Sequence, residues 1–135
     1  MDGKIGLAVI GCGGIARSYL EALRSMKDFK IIAAVDAVEE RAKKYASKCG
    51  AERYYVSIDE PLEDPEVEAV CICLPNYLHS SVAIAAAKAG KHILVEKPMA
   101  LSLKETDEMI KTAEDEGVIL MVEQTLRFWK SNIVA

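Results

Sequence analysis

Lys4-Ile5-Gly6-Leu7-Ala8-Val9-Ile10-Gly11-Cys12-Gly13-Gly14-Ile15-Ala16 is the stretch whose reading decides the fold. The apolar run from Lys4 to Ile10 has the character of a strand buried on both faces. It passes directly into a G-x-G-x-x-A turn, and the residues after it carry Ile15, Tyr19, Leu23 and Met26 on one helical stripe. Taken alone, the glycine pattern is also that of an ordinary glycine-rich turn. Set between strand and helix it answers a physical need. Gly11 allows the tight turn, Gly13 lets backbone approach a pyrophosphate without a Cβ, and Ala16 permits close helix–strand packing. The N–H groups and the dipole of the helix start favour phosphate there. Gly11, Cys12, Gly13, Gly14 and Ile15 are therefore the candidate phosphate-binding residues.

Working outward, Lys30 to Asp36 is a second apolar run, and Asp36 ends it 20 residues beyond Ala16. A dinucleotide fold places at this point the carboxylate that hydrogen-bonds the adenosine ribose. The alternative for Asp36 is a solvated turn acid. A carboxylate there repels a 2′-phosphate, and the nearest arginine, Arg41, lies a turn into the next helix, so NAD is favoured over NADP.

The same alternation continues to the end of the chain. Further strand candidates are Arg53 to Val56 (the weakest), Val67 to Leu74, His92 to Glu96 and Val118 to Glu123. Between them, Val38, Ala42, Tyr45, Ala46 and Cys49 form one helical stripe, and Leu103, Thr106, Ile110 and Ala113 are expected to face inward on the last long helix. Gly50, Gly90 and Gly117 read as helix C-terminal glycines, and Ser102 with Glu105 as a capping box. Alternating β and α units predict an α/β, Rossmann-type, doubly wound and mostly parallel sheet.

The chain has 135 residues, 17 Lys+Arg against 21 Asp+Glu, 51% hydrophobic and 28% charged residues, which suits one globular core. With a net charge of −4 and no run of four basic residues, it carries no footprint for nucleic acid or an anionic membrane. No apolar stretch reaches the roughly 18 residues that a membrane helix needs. The segment Ile5 to Ala16 is unsuited to a signal peptide, because it holds four glycines and lacks a small-x-small cleavage site. The cysteines, Cys12, Cys49, Cys71 and Cys73, form neither a disulfide framework nor a metal-ligand set, so a cytoplasmic location and no metal are expected.

Two loops follow strands on the side of the glycine turn, where open α/β sheets bind ligands. One is Leu74-Pro75-Asn76-Tyr77-Leu78-His79 and the other Glu96-Lys97-Pro98. On residue chemistry alone, Lys97 reads equally as a surface lysine or a functional one. His79, near a helix start, is read as a structural or ribose-side residue rather than a base. Cys71 and Cys73 share one strand face and are read as core. Cys12 is read first as a packing residue of the turn, with a pKa lowered by the nearby helix N-terminus as the alternative.

These motifs in order, Gly11 to Ala16, Asp36, Pro75-Asn76 with His79, Ala89-Gly90-Lys91-His92 and Glu96-Lys97-Pro98, resemble the N-terminal domain of the Gfo/Idh/MocA oxidoreductases, the glucose–fructose oxidoreductase and inositol dehydrogenase family. The resemblance covers nearly the whole chain. It implies a dinucleotide-binding domain over residues 1–124, with 125–135 beginning the link toward a second, substrate-binding domain that lies outside these residues. It further implies a cofactor set of Gly11, Cys12, Gly13, Gly14, Ile15, Asp36, Leu74, Pro75, Asn76, His79, Glu96 and Lys97. Lys97 would be the catalytic residue, touching the reacting oxygen of a sugar, inositol or related polyol. The family's second domain supplies an aspartate and a histidine for proton transfer. Relatives commonly carry a proline soon after the Arg-Phe pair, whereas here Trp129 and Lys130-Ser131-Asn132 follow.

The expected function is the NAD-binding half of an oxidoreductase that moves hydride to or from a sugar-like or polyol group. The alternative is a non-catalytic NAD(H)-binding regulatory module. A homo-oligomer is expected, as is exposed apolar surface at Phe128, Trp129, Ile133 and Val134 where a second domain would pack.

Overall fold

The computed structural model describes residues 3–133. Six strands, β1 (Ile5–Ile10), β2 (Phe29–Val35), β3 (Arg53–Tyr55), β4 (Ala69–Ile72), β5 (His92–Val95) and β6 (Leu120–Val122), form one sheet in the order β3-β2-β1-β4-β5-β6. Every pairing is parallel. β1 lies between β2 and β4, with Ile10 opposite Val35 on one side and Ile72 on the other. The strand order reverses at that point, and open α/β sheets bind ligands outside the carboxyl ends of the strands at such a reversal.

The central strands β1 and β4, and β2 from Ile31 on, are largely apolar, as expected of strands on which helices pack. One face packs Ile10, Val70, Ile72 and Val95 against Val82, Ala86 and Met109. The helices that supply those last residues are α4 (His79–Lys88) and α5 (Leu103–Glu116). The other face packs Leu7, Val9 and Ala34 against Ala16 of α1 (Gly14–Ser25) and against Tyr45 and Ala46 of α2 (Glu39–Cys49). Over β4 to β6 that second face carries a groove of about 470 Å³, lined by Tyr19, Leu23, Met26, Leu94, Met121 and Phe128 among others. A short α3 (Asp59–Glu63) and a final α6 (Lys130–Ile133) complete the chain.

Several local signals act as expected. Gly50 and Gly117 cap α2 and α5 in the left-handed conformation. The Ser102 hydroxyl accepts from the Glu105 amide, while the Glu105 carboxylate reaches back to the Leu101 amide.

The helix stripes need correction. On α5, Met109 and Ala113 are buried, but Leu103 is 84% exposed and Ile110 is exposed as well rather than facing inward. Leu103 opens the helix beyond the covered sheet, so the inward line runs through Thr106, Met109 and Ala113. On α1 and just past it, Ile15 and Met26 are exposed and Tyr19 and Leu23 half-buried; Tyr19, Leu23 and Met26 line the groove, while Ile15 lies at the open start of the helix. Val38 is likewise exposed at the start of α2. Phe128, Trp129 and Ile133 are exposed, and Val134 lies outside the described residues.

Candidate functional site

Gly11 directly follows β1 at φ +94°, and a Cβ on it would come within 2.6 Å of the Cys73 carbonyl oxygen. Its glycine is thus required both by the turn and by the neighbouring strand. Gly13 differs. Its φ is −81°, within reach of any residue, and a Cβ built there meets no protein atom within 4 Å. Nothing inside the chain demands glycine at this position, and the open space lies at the N-terminus of α1, which no side chain caps. Uncapped N–H groups facing open space form an anion cradle. Gly14 and Ile15 are exposed beside it.

Cys12 and Asp36 join the turn to the end of β2. The Cys12 amide donates to Asp36 Oδ2 at 3.0 Å, and the Val38 amide donates to Oδ1 at 2.8 Å. Each carboxylate oxygen keeps further acceptor capacity. The Cys12 side chain is 5% exposed, with Sγ 3.4 Å from the Val35 carbonyl oxygen. Burial, then the charge of Asp36, push its thiol up to about 12. Cys12 is thus a packing residue of the turn, and the alternative of a pKa lowered by the helix start does not arise.

The loops after β4 and β5 are fastened to each other. Leu74 is half-buried, while Pro75 and Asn76 are exposed at the edge. His79 is 1% exposed, and its ring is spanned by two backbone carbonyls, Leu74 O at 2.8 Å from Nε2 and Pro98 O at 2.8 Å from Nδ1. Both nitrogens face carbonyls inside the protein rather than open space, and the one that carries the N–H donates to its carbonyl; the ring packs between the two loops and joins them.

Glu96 begins the second loop, its amide donating to the Ile72 carbonyl. Its carboxylate accepts from Tyr19 Oη at 2.6 Å through Oε1 and from the Lys97 amide at 3.0 Å through Oε2. Lys97 is exposed, and no ion pair among the described residues engages it. Glycine turn, Asp36, Leu74 to Asn76 and Glu96 to Lys97 therefore stand along one edge of the sheet.

Sequence reading missed Tyr19 as a polar residue, placing it only in an apolar stripe. The signal was available in its chemistry, since a half-buried tyrosine hydroxyl seeks a partner. Lys91 and His92 belong to the opposite edge. The Lys91 ammonium donates to the Asp64 and Val67 carbonyls at 2.8 and 2.7 Å, and His92 Nδ1 accepts from the Ile119 amide at 3.0 Å. The Ala89-Gly90-Lys91-His92 motif is thus structural. Cys71 and Cys73 do share a face, with Sγ atoms 3.7 Å apart. All four cysteines are free.

Comparison with known proteins gives this edge its context. The profile described as "Oxidoreductase family, NAD-binding Rossmann fold" (GFO_IDH_MocA) matches residues 5–124. The chain is 38% identical over 122 residues to the myo-inositol 2-dehydrogenase of Thermotoga maritima, a match that covers 90% of this chain and 36% of that protein. It is also 38% identical over 117 residues to a scyllo-inositol 2-dehydrogenase (NADP(+)) of Bacillus subtilis, over 87% of this chain and 36% of the relative. A dehydrogenase of Chromobacterium violaceum, solved in complex with NADH and UDP-GlcNAcA, superposes with a TM-score of 0.93 at 29% identity, over 99% of this chain and 39% of that one. The chain spans little more than a third of the length of the relatives it matches.

Proposed function

Because this chain belongs to the Gfo/Idh/MocA oxidoreductase family, with its NAD-binding Rossmann fold, we propose that it is the cofactor-binding part of an enzyme exchanging hydride with a sugar-like or polyol hydroxyl or carbonyl. Residues 1–124 are the dinucleotide-binding domain in this reading, and 125–135 lead toward a substrate domain. The observation that carries it is Gly13, a glycine without an internal reason, standing over an uncapped helix start beside Asp36. That cradle fits a pyrophosphate, and the acceptor capacity left on Asp36 fits ribose hydroxyls.

The nicotinamide, when bound, supplies the hydride chemistry. The chain's own residues hold and orient it. Gly13, Gly14 and Ile15 present backbone to the phosphates, Gly11 and Cys12 shape the turn with amides bonded to Val35 and Asp36, and Asp36 takes the adenosine ribose and opposes a 2′-phosphate. NAD is therefore preferred to NADP here, although one Bacillus subtilis relative is named for NADP(+). Leu74, Pro75 and Asn76 border the cofactor, with His79 holding their loop from beneath. Glu96 and Lys97 stand at the nicotinamide end. Lys97 donates a hydrogen bond to the substrate oxygen on which negative charge develops, a form of stabilisation that is usually large. Inositol-type polyols and related sugars are the substrate class that the relatives support.

Gly13→Val tests the reading. The side chain points into open space and leaves the fold intact by circular dichroism, yet it occupies the pyrophosphate's place. NADH binding is expected to disappear; retained NADH affinity in a folded Gly13→Val chain would overturn the site.

A further inference from the structure

We propose that Tyr19 is a positioning residue: from α1 it fixes the carboxylate of Glu96, and through it the Lys97 backbone, at the nicotinamide end of the cofactor site. The proposal rests on the NAD-binding reading above and adds to it a residue that belongs to no glycine, acid or Glu-Lys-Pro motif.

The geometry is a short relay. Tyr19 Oη donates to Glu96 Oε1 at 2.6 Å, and the Lys97 amide donates to Oε2 of the same carboxylate at 3.0 Å. The Glu96 amide in turn is tied to the Ile72 carbonyl at 3.0 Å. A glutamate on a sheet-edge loop ordinarily samples several rotamers, and ordering such a side chain costs conformational entropy. Here each oxygen has its own donor, and one donor sits on a rigid helix. Charge-assisted bonds of this kind are shorter and about twice as strong as neutral ones.

The position of Tyr19 gives the relay its meaning. α1 begins at Gly14, whose end of the helix faces the pyrophosphate cradle, and Tyr19 projects from the same helix toward the loop after β5. One rigid element thus sets both the phosphate end and the nicotinamide end of the site. The neighbouring Glu123 also approaches the phenol. Burial, then Glu123 and Glu96, hold that phenol above its ordinary range, so it remains a donor throughout the physiological pH range. Phenylalanine would fill the groove equally well; the hydroxyl is what the loop needs.

Tyr19→Phe removes that hydroxyl and keeps the ring. Calorimetric titration of the 135-residue chain with NADH and with ADP-ribose, which lacks the nicotinamide, separates positioning from folding. The expected result is a loss of about five- to tenfold in NADH affinity, the scale of one charge-assisted hydrogen bond, with ADP-ribose affinity unchanged. Unchanged NADH affinity, or an equal loss of both ligands, overturns the proposal. Failure of the unmutated chain to bind either ligand overturns the NAD-binding reading itself. A second readout is independent of cofactor: in ¹H–¹⁵N spectra of the ligand-free chain, Tyr19→Phe is expected to shift the Lys97 amide and leave the Gly50 amide in place. An unmoved Lys97 amide contradicts the relay. Should Tyr19→Phe fail to fold, Glu96→Gln is expected to give the same split between NADH and ADP-ribose, and an equal loss of both would overturn the proposal.

Discussion

The Cys12 amide lies 3.0 Å from Asp36 Oδ2, so the glycine turn after β1 and the acid that ends β2 form one hydrogen-bonded unit. The acid both shapes the turn and, in the proposed site, receives the ribose. Asp36→Ala removes both roles at once. NADH affinity of the variant is expected to fall at least about tenfold, and the preference over NADPH to shrink, because the repelling charge is gone. Parallel titrations of NADH and NADPH against the variant check this. Full NADH affinity would strip Asp36 of its assigned role.

His79 offers a stability test. It is 1% exposed, and both nitrogens face backbone carbonyls at 2.8 Å. In His79→Ala, the carbonyl that accepts the ring N–H loses its donor and a buried ring-sized space opens. The cost is expected to be about 3 kcal/mol, lowering the melting temperature by roughly 10 °C. Differential scanning calorimetry reads it, and a change of less than about 2 °C would mean that the staple holds nothing.

What the sequence made legible follows from how each contact is encoded. Strands buried on both faces are written as apolar runs, and the order of Gly11, Asp36 and the edge loops was readable because each follows such a run. The faces of α1 and α5 were less readable. Apolar residues at 103, 110, 15 and 26 satisfy a helical period, but Leu103 and Ile15 lie exposed at helix starts and Met26 borders a groove, which no local pattern records. The bond from Tyr19 to Glu96 spans 77 positions of sequence, and neither residue announces the other. His79 finds its partners in main-chain carbonyls, which every residue type possesses, so its staple leaves no trace in composition. Cys12 shows a competition between effects: the helix start favours a thiolate, but burial and the Asp36 charge outweigh it.

Lys97 tests the chemistry. The 135-residue chain is expected to bind NADH yet oxidise no polyol, because proton transfer at useful speed calls for a group titrating nearer neutrality and a pocket that excludes water. His79, the one histidine near this edge, is sealed between two carbonyls. In a longer form carrying the substrate domain, Lys97→Ala is expected to lower turnover by about 10²-fold or more with little change in NAD affinity. Absorbance at the NADH band follows both. Turnover by the 135-residue chain, or an undiminished rate in the variant, would refute the assignment.

Self-association is expected of the 135-residue chain. Leu126, Phe128, Trp129 and Ile133 are 56%, 66%, 61% and 63% exposed, and Phe128 also lines the apolar groove beside β4 to β6. Apolar surface of this extent ordinarily marks a contact site. Light scattering is expected to show a mass that rises with concentration, and Phe128→Ser with Trp129→Ser to reduce it. A single monomeric mass at high concentration would contradict this.

The most direct test of the account is calorimetry of the unmutated chain with NADH and NADPH under identical salt. The glycine cradle and Asp36 predict saturable one-to-one NADH binding and at least about tenfold weaker NADPH binding. Absence of NADH binding, or NADPH binding of equal or greater strength, would contradict it.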